Sequence, residues 1–263
     1  MFIAILALKA LTAGTAVLTI SLIAERVSPR VAGIIAGAPL GALMSFYMLG
    51  LEQGVGFVTD SVAHAVAGMS GVLAFTVGYR AVTLRAGRYN IAKSVIGGLL
   101  AFLATATALE TVDFVILTAL PLTIAVCIVA GYHFRRDADI RVANPARLTL
   151  SLMALRAGLA AVTVVTMVSI AAFVGTRWTG VLMGFPFTLL PTMLIIHLTY
   201  SREHVLALLN GFPLGLGSVL TYLVTVPWTF PALGVHLGTL TSLAAAMVYL
   251  VLLSLVIRWL RRR

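Results

Sequence analysis

The sequence predicts an all-α integral membrane protein of about nine transmembrane helices, arranged 4+1+4 as two inverted-topology repeats around one extra helix. Three observations carry this expectation. The chain of 263 residues is 61% hydrophobic and only 10% charged, with a mean hydropathy of +1.09, more apolar than a water-soluble core of that length can hide. A helix needs roughly 20 apolar residues to cross a bilayer core of about 30 Å, and nine runs meet that need. Finally, the second half repeats the first at a constant offset of 147 positions, so that Arg30-Val31-Ala32-Gly33-Ile34-Ile35-Ala36-Gly37-Ala38-Pro39 aligns without a gap on Arg177-Trp178-Thr179-Gly180-Val181-Leu182-Met183-Gly184-Phe185-Pro186.

The runs fall near 2–24, 31–51, 58–80, 92–110, 112–132, 148–174, 178–199, 204–226 and 235–257. They do not alternate with period two and are about twice as long as a barrel strand requires, which favours helices over a β-barrel. The first run lacks a basic segment before it and has a counterpart in the second half, so it is expected to stay as a helix of the mature chain rather than serve as a secretory signal. The offset of 147 also brings Lys9 onto Arg156, Val17 onto Val164, Thr19 onto Thr166, Gly68 onto Gly215 and Val72-Leu73 onto Val219-Leu220. Helices 1–4 thereby match helices 6–9. An odd number of crossings separates equivalent points, which inverts the second repeat in the membrane, the usual frame of secondary transporters. The expected division is repeat 1 over 1–110, helix 5 and a linker over 111–147, and repeat 2 with a basic tail over 148–263. The linker, from His133 to Pro145, is too short for a soluble domain.

The net charge of +10 does not point to nucleic acid, because no hydrophilic domain interleaves basic residues with exposed aromatics. Its placement describes topology. With alternate loops cytoplasmic, Arg26, Arg30, Arg80, Arg85, Arg88, Lys93, Arg135, Arg136, Arg141, Arg147, Arg202, Arg258, Arg261, Arg262 and Arg263 lie inside, 15 of the 18 basic residues. The positive-inside rule then sets the N-terminus out and the C-terminus in. The single Cys127 leaves no intrachain disulfide and no cysteine-based metal site.

Two features recur in both halves and would be costly without a purpose. Lys9 and Arg156 each lie about 12 Å into a helix, roughly eight residues at 1.5 Å, entering from opposite faces. A charge at that depth costs about 2.5–3.5 kcal/mol on insertion scales and usually faces a cavity or a partner; a side chain snorkelling to the nearer interface is the alternative. The second feature is Gly33-xxx-Gly37-x-Pro39 with its copy Gly180-xxx-Gly184-x-Pro186. Proline inside a helix removes a hydrogen bond, and in a membrane the freed backbone must be satisfied by protein or cavity water. Gly37, Pro39, Gly184 and Pro186 therefore mark candidate discontinuous helices whose amide-bearing ends suit an anion, against the simpler reading of small residues that allow close helix crossings.

Arg30 and Arg177 open the second and seventh helices on opposite faces, as entrance gates or as headgroup anchors. His64, in the third helix, is a candidate proton carrier because histidine titrates near neutrality; a hydrogen-bonded interface residue is the alternative. No acid sits clearly at mid-membrane, which argues against a carrier built on an intramembrane carboxylate. The chain carries no nucleotide-binding motif, no paired carboxylates and no Ser-His-Asp set, so neither an ATP-driven pump nor an enzyme is expected.

At Leu8-Lys9-Ala10-Leu11, followed by Val31-Ala32-Gly33, Pro39, Ala42-Leu43, Tyr47 and Gly50, the first half resembles the GlpM family of small four-helix bacterial membrane proteins. The resemblance covers about residues 5–110, and the second half is a more distant copy with Arg156 in place of the lysine. It implies a four-helix unit and a bacterial inner (cytoplasmic) membrane location, and no substrate.

The functional expectation is a secondary transporter for a small anionic metabolite or a lipid-linked phosphate, with Lys9 and Arg156 binding the anionic group. A non-transporting scaffold or accessory subunit of an envelope-biosynthesis complex is the alternative. Expected partners are the lipid bilayer and the anion, with a homodimer considered; no cofactor, metal or nucleic acid is expected.

Overall fold

The computed structural model describes residues 37–85, 91–135, 173–186 and 189–261, with positions 34, 158, 162, 169 and 170 besides. Lys9, Arg30 and Arg156 lie outside the described residues, as does most of the stretch over 136–168. The labelled elements are all helices: α1 (Leu40–Glu52), α2 (Gly54–Arg85), α3 (Ile91–Glu110), α4 (Ile116–Phe134), α5 (Leu189–Thr199) and α6 (Arg202–Arg261). A further helical stretch over 173–182 precedes α5. Among the described residues, Gly54–Arg85, Ile91–Glu110, Ile116–Phe134 and Arg202–Leu260 are long and apolar enough to cross a bilayer.

The 60-residue α6 is not a single rod. Gly234 has φ 73 and ψ 175, a backbone that folds the chain back on itself and that glycine adopts at little cost. The arm 202–233 and the arm 235–261 then pair antiparallel, with Thr229 and Ser242 hydroxyls 2.7 Å apart and the Tyr249 hydroxyl donating to the Leu214 carbonyl at 3.0 Å. Positive φ also occurs at Gly54 and Gly175, between the apolar runs 31–51 and 58–80 and between 148–174 and 178–199.

α2 is the central element, buried along most of its length. α3 packs antiparallel to it: Thr83 Oγ1 donates to Ser94 Oγ at 2.9 Å, while Gly98 lies against the Phe75 ring and Gly71 against the Phe102 ring. α4 runs parallel to α2. Thr123 Oγ1 donates to the Val66 carbonyl at 2.7 Å, Ser70 and Thr123 hydroxyls lie 3.3 Å apart, and the Arg80 guanidinium sits 5.8 Å above the Phe134 ring. Buried hydroxyls with partners on a neighbouring helix are what an apolar solvent favours, since nothing else there can satisfy them. The outward faces of α3, α4 and the second arm of α6 carry Leu100, Leu103, Leu117, Ile128, Val129, Leu240, Val251 and Leu252 in exposed positions, an apolar exterior of the kind lipid covers.

These directions sort the charges. Arg80, Arg85, Lys93, Arg135, Arg202, Arg258 and Arg261 gather toward one end of the bundle with Glu203, and Glu52, Asp60, Glu110, Asp113 and Arg177 toward the other. α1 runs toward the acidic end and α5 toward the basic end; α2 runs from acidic to basic, and the first arm of α6 from basic to acidic.

Candidate substrate cavity at the two helix breaks

Helical backbone is interrupted over 37–39 and again over 183–186, at the glycine and proline of each sequence copy. The two interruptions share one hydrogen-bond pattern. Before the break, the Gly37 amide donates to the Ile34 carbonyl at 3.1 Å and the Gly184 amide to the Val181 carbonyl at 3.0 Å. After it, Leu43 donates to Pro39 at 2.6 Å and Leu190 to Pro186 at 2.9 Å. Each of these four positions in the first half is matched at the offset of 147 in the second. Proline has no amide to contribute to a continuing helix, and helix resumes behind it as α1 and as α5.

Glycine at the breaks has a separate reason, which is close approach. A Cβ on Gly37 would run into the Gly215 backbone, and one on Gly184 into the Gly68 carbonyl. Conversely, a Cβ on Gly215 would meet the Ile34 carbonyl, and one on Gly68 the Val181 carbonyl oxygen at 2.6 Å. Gly37 matches Gly184, Gly68 matches Gly215 and Ile34 matches Val181 at the same offset. The contact of the first break on the second half is thus returned by the second break on the first half.

A cavity of about 40 Å³ lies where the breaks meet. Its lining falls into pairs at the offset of 147: Gly37 with Gly184, Ala38 with Phe185, Pro39 with Pro186, Ala42 with Leu189, Met69 with Leu216, and Val72 with Val219. The first turns of α1 and α5 border it through Gly41, Ala42 and Leu189 and leave it in opposite directions. The opening amides of a helix lack intrahelical acceptors, so the start of α1, with Gly41 and Ala42 in the lining, brings partial positive charge to this space. The Gly37 carbonyl, freed by its break, accepts a hydrogen bond of 2.7 Å from the buried Ser218 hydroxyl. The matching position in the first half is Gly71, which has no hydroxyl to give.

Of the sequence-derived residues, the structure brings Gly37, Pro39, Gly184 and Pro186 together at this cavity. Arg177 lies elsewhere, at the acidic end, in an ion pair with Asp113 of the α3–α4 connection. Both side chains are largely exposed, so the pair contributes at most about 1 kcal/mol. His64 also stands apart from the cavity. Its Nε2 donates to the Val112 carbonyl at 3.3 Å and its ring meets Phe114 edge-on, which ties the α3–α4 connection to α2 on one side while Arg177 ties it to 173–182 on the other. His64 Nδ1 is buried without a hydrogen-bond partner among the described residues. At the basic end, the buried Tyr79 hydroxyl and His197 Nδ1 share a hydrogen bond of 2.6 Å that joins α2 to α5. The described lining carries no charged side chain, and the described residues hold no cluster of three or more metal-binding side chains.

Sequence reasoning missed Met69, Leu216, Ser218 and the Tyr79–His197 bond. The first two stand one position beyond the matched Gly68 and Gly215 and could have been read from the repeat. Ser218 and Tyr79 could not, since their counterparts are Gly71 and Val226. No family model matches the chain, and no curated protein and no solved structure matches it.

Proposed function

We propose that the chain is a secondary transporter for a small anionic metabolite or a lipid-linked phosphate, working by alternating access between two inverted repeats. The observation that carries this reading is the convergence of the two equivalent helix breaks on one cavity. Broken helices whose amide ends meet near the middle of a bundle are how transporters present backbone to an anionic group. The opposite directions of α1 and α5, and of α2 and the first arm of α6, support the inverted arrangement. The separation of charge between the ends fits a positive-inside arrangement with the C-terminus in; nine spans, an N-terminus outside and a bacterial inner membrane are part of the same proposal.

On this reading Lys9 and Arg156 supply the full charges that the described lining lacks. A space of about 40 Å³ has room for a few water molecules and not for a metabolite. Substrate entry therefore requires the glycine crossings to part. The Asp113–Arg177 pair and the Tyr79–His197 bond close opposite ends and are the contacts that would open in turn, with Arg30 as the counterpart of Arg177 and His64 as the proton carrier in a coupled cycle.

The test is thermal stabilisation of the purified protein by a panel of carboxylates, phosphates and lipid phosphates, in wild type and in the Lys9→Met, Arg156→Met double variant. A true ligand at a hundred times its Kd adds about 2.7 kcal/mol to the folded state. That gain is expected to vanish in the double variant. The apolar lining favours a second reading, a non-transporting scaffold in an envelope-biosynthesis complex. In that case no panel member stabilises the protein, and the double variant is as stable as wild type or more so, because buried charge without function destabilises.

A further inference from the structure

A second, larger space lies away from the helix breaks. α2, α3 and α4 enclose a groove of about 700 Å³ on the outside of the bundle. Ala74 and Gly78 of α2 and Ala101 and Ala104 of α3 line one side, and Val126 and Val129 of α4 the other. From the level of Ser70 to that of Gly78 the groove extends about 12 Å at 1.5 Å per residue, the reach of the first part of an acyl chain. Val77 and Val129, at 42% and 68% exposure, place its mouth on the apolar exterior.

One end of the groove is basic. His133 lines it directly. Arg80, two residues beyond the lining Gly78, holds its guanidinium over the ring of Phe134, and the Arg135 guanidinium lies 3.8 Å above the Tyr132 ring. Arg85 and Lys93 stand at the same end.

We infer that this groove is a binding site for an anionic phospholipid, with an acyl chain between α2, α3 and α4 and the headgroup phosphate among Arg80, His133 and Arg135. An apolar slot in an apolar surface takes hydrocarbon, and basic clusters beside membrane-spanning helices select anionic headgroups. The site is separate from the cavity at the breaks, and the inference stands whether or not the chain transports anything.

The probes are dioleoyl phosphatidylglycerol and dioleoyl phosphatidylcholine, titrated separately into the full chain in detergent while the melting midpoint is followed. Phosphatidylglycerol is expected to raise the midpoint saturably and to half-saturate at about tenfold lower concentration than phosphatidylcholine. The variant Arg80→Gln, His133→Gln, Arg135→Gln should lose that preference and keep the response to phosphatidylcholine. Ala104→Phe, at an exposed position on the groove wall, should blunt the response to both lipids. Equal half-saturation by the two lipids in wild type overturns the inference, as does a preference that survives the triple variant, or a response unaltered by Ala104→Phe. Should the triple variant fail to fold, His133→Gln alone, whose ring is exposed, is expected to narrow the preference, and an unchanged preference counts against the site.

Discussion

Gly184→Ala is expected to destabilise the protein by about 3 kcal/mol, the upper end of what overpacking usually costs. The reason is what the new methyl would strike. At most helix crossings an added carbon meets the flexible end of a side chain, which turns away; here it meets the carbonyl of Gly68, and only separation of the two helices relieves the clash. Gly37→Ala should cost a similar amount, because its methyl would enter the Gly215 backbone in the reciprocal crossing. Gly56→Ala is the control. No atom lies within 4 Å of a Cβ at that helical position, so alanine should be neutral or stabilise by up to about 1 kcal/mol. Thermal or denaturant unfolding of the three variants checks the set. A mild Gly184→Ala, no worse than Gly56→Ala, would mean that the two halves do not cross as described.

Tyr79→Phe is expected to cost about 1–3 kcal/mol, the penalty for leaving a buried polar atom without its partner. Tyr79 is fully buried and His197 is 8% exposed, so no water stands ready to replace the lost partner of His197 Nδ1. The comparison is Tyr47→Phe, which removes a similar bond of 3.1 Å to His236 at an exposed site; there water takes over, and the loss should stay below about 1 kcal/mol. The larger effect belongs to the bond that joins α2 to α5 at the basic end. If unfolding shows equal losses for the two variants, the Tyr79–His197 bond is not the buried tie between helices that the structure shows.

Much of this arrangement was legible in the sequence because the informative signals are local. The apolar runs near 58–80, 92–110 and 112–132 correspond to α2, α3 and α4, since length and hydropathy decide such elements with little help from tertiary contacts. The breaks over 37–39 and 183–186 announce themselves through Pro39 and Pro186, which cannot continue a helix behind them.

The pairing of Gly37 with Gly215 and of Gly184 with Gly68 was only half legible. The offset of 147 shows that these glycines correspond, but not that each break packs on a helix of the other half, because that depends on how the halves assemble. The bond from Tyr79 to His197 and the groove beside His133 left no trace in the pattern. One joins residues 118 positions apart, and the other lies between three helices whose facing residues look like ordinary helix packing. Lys9 and Arg156, the charges on which anion recognition depends, lie outside the described residues and enter the proposal through their matched depth in the sequence.

The measurement that tests the central claim most directly is uptake by proteoliposomes of the anion that stabilises the purified protein best, in wild type and in the Lys9→Met, Arg156→Met variant. Alternating access at the helix breaks predicts accumulation or counterflow in wild type and its loss in a variant that still folds and inserts. If no anion of the panel is taken up by wild type, and the variant is as stable as wild type or more so, the chain is not an anion transporter.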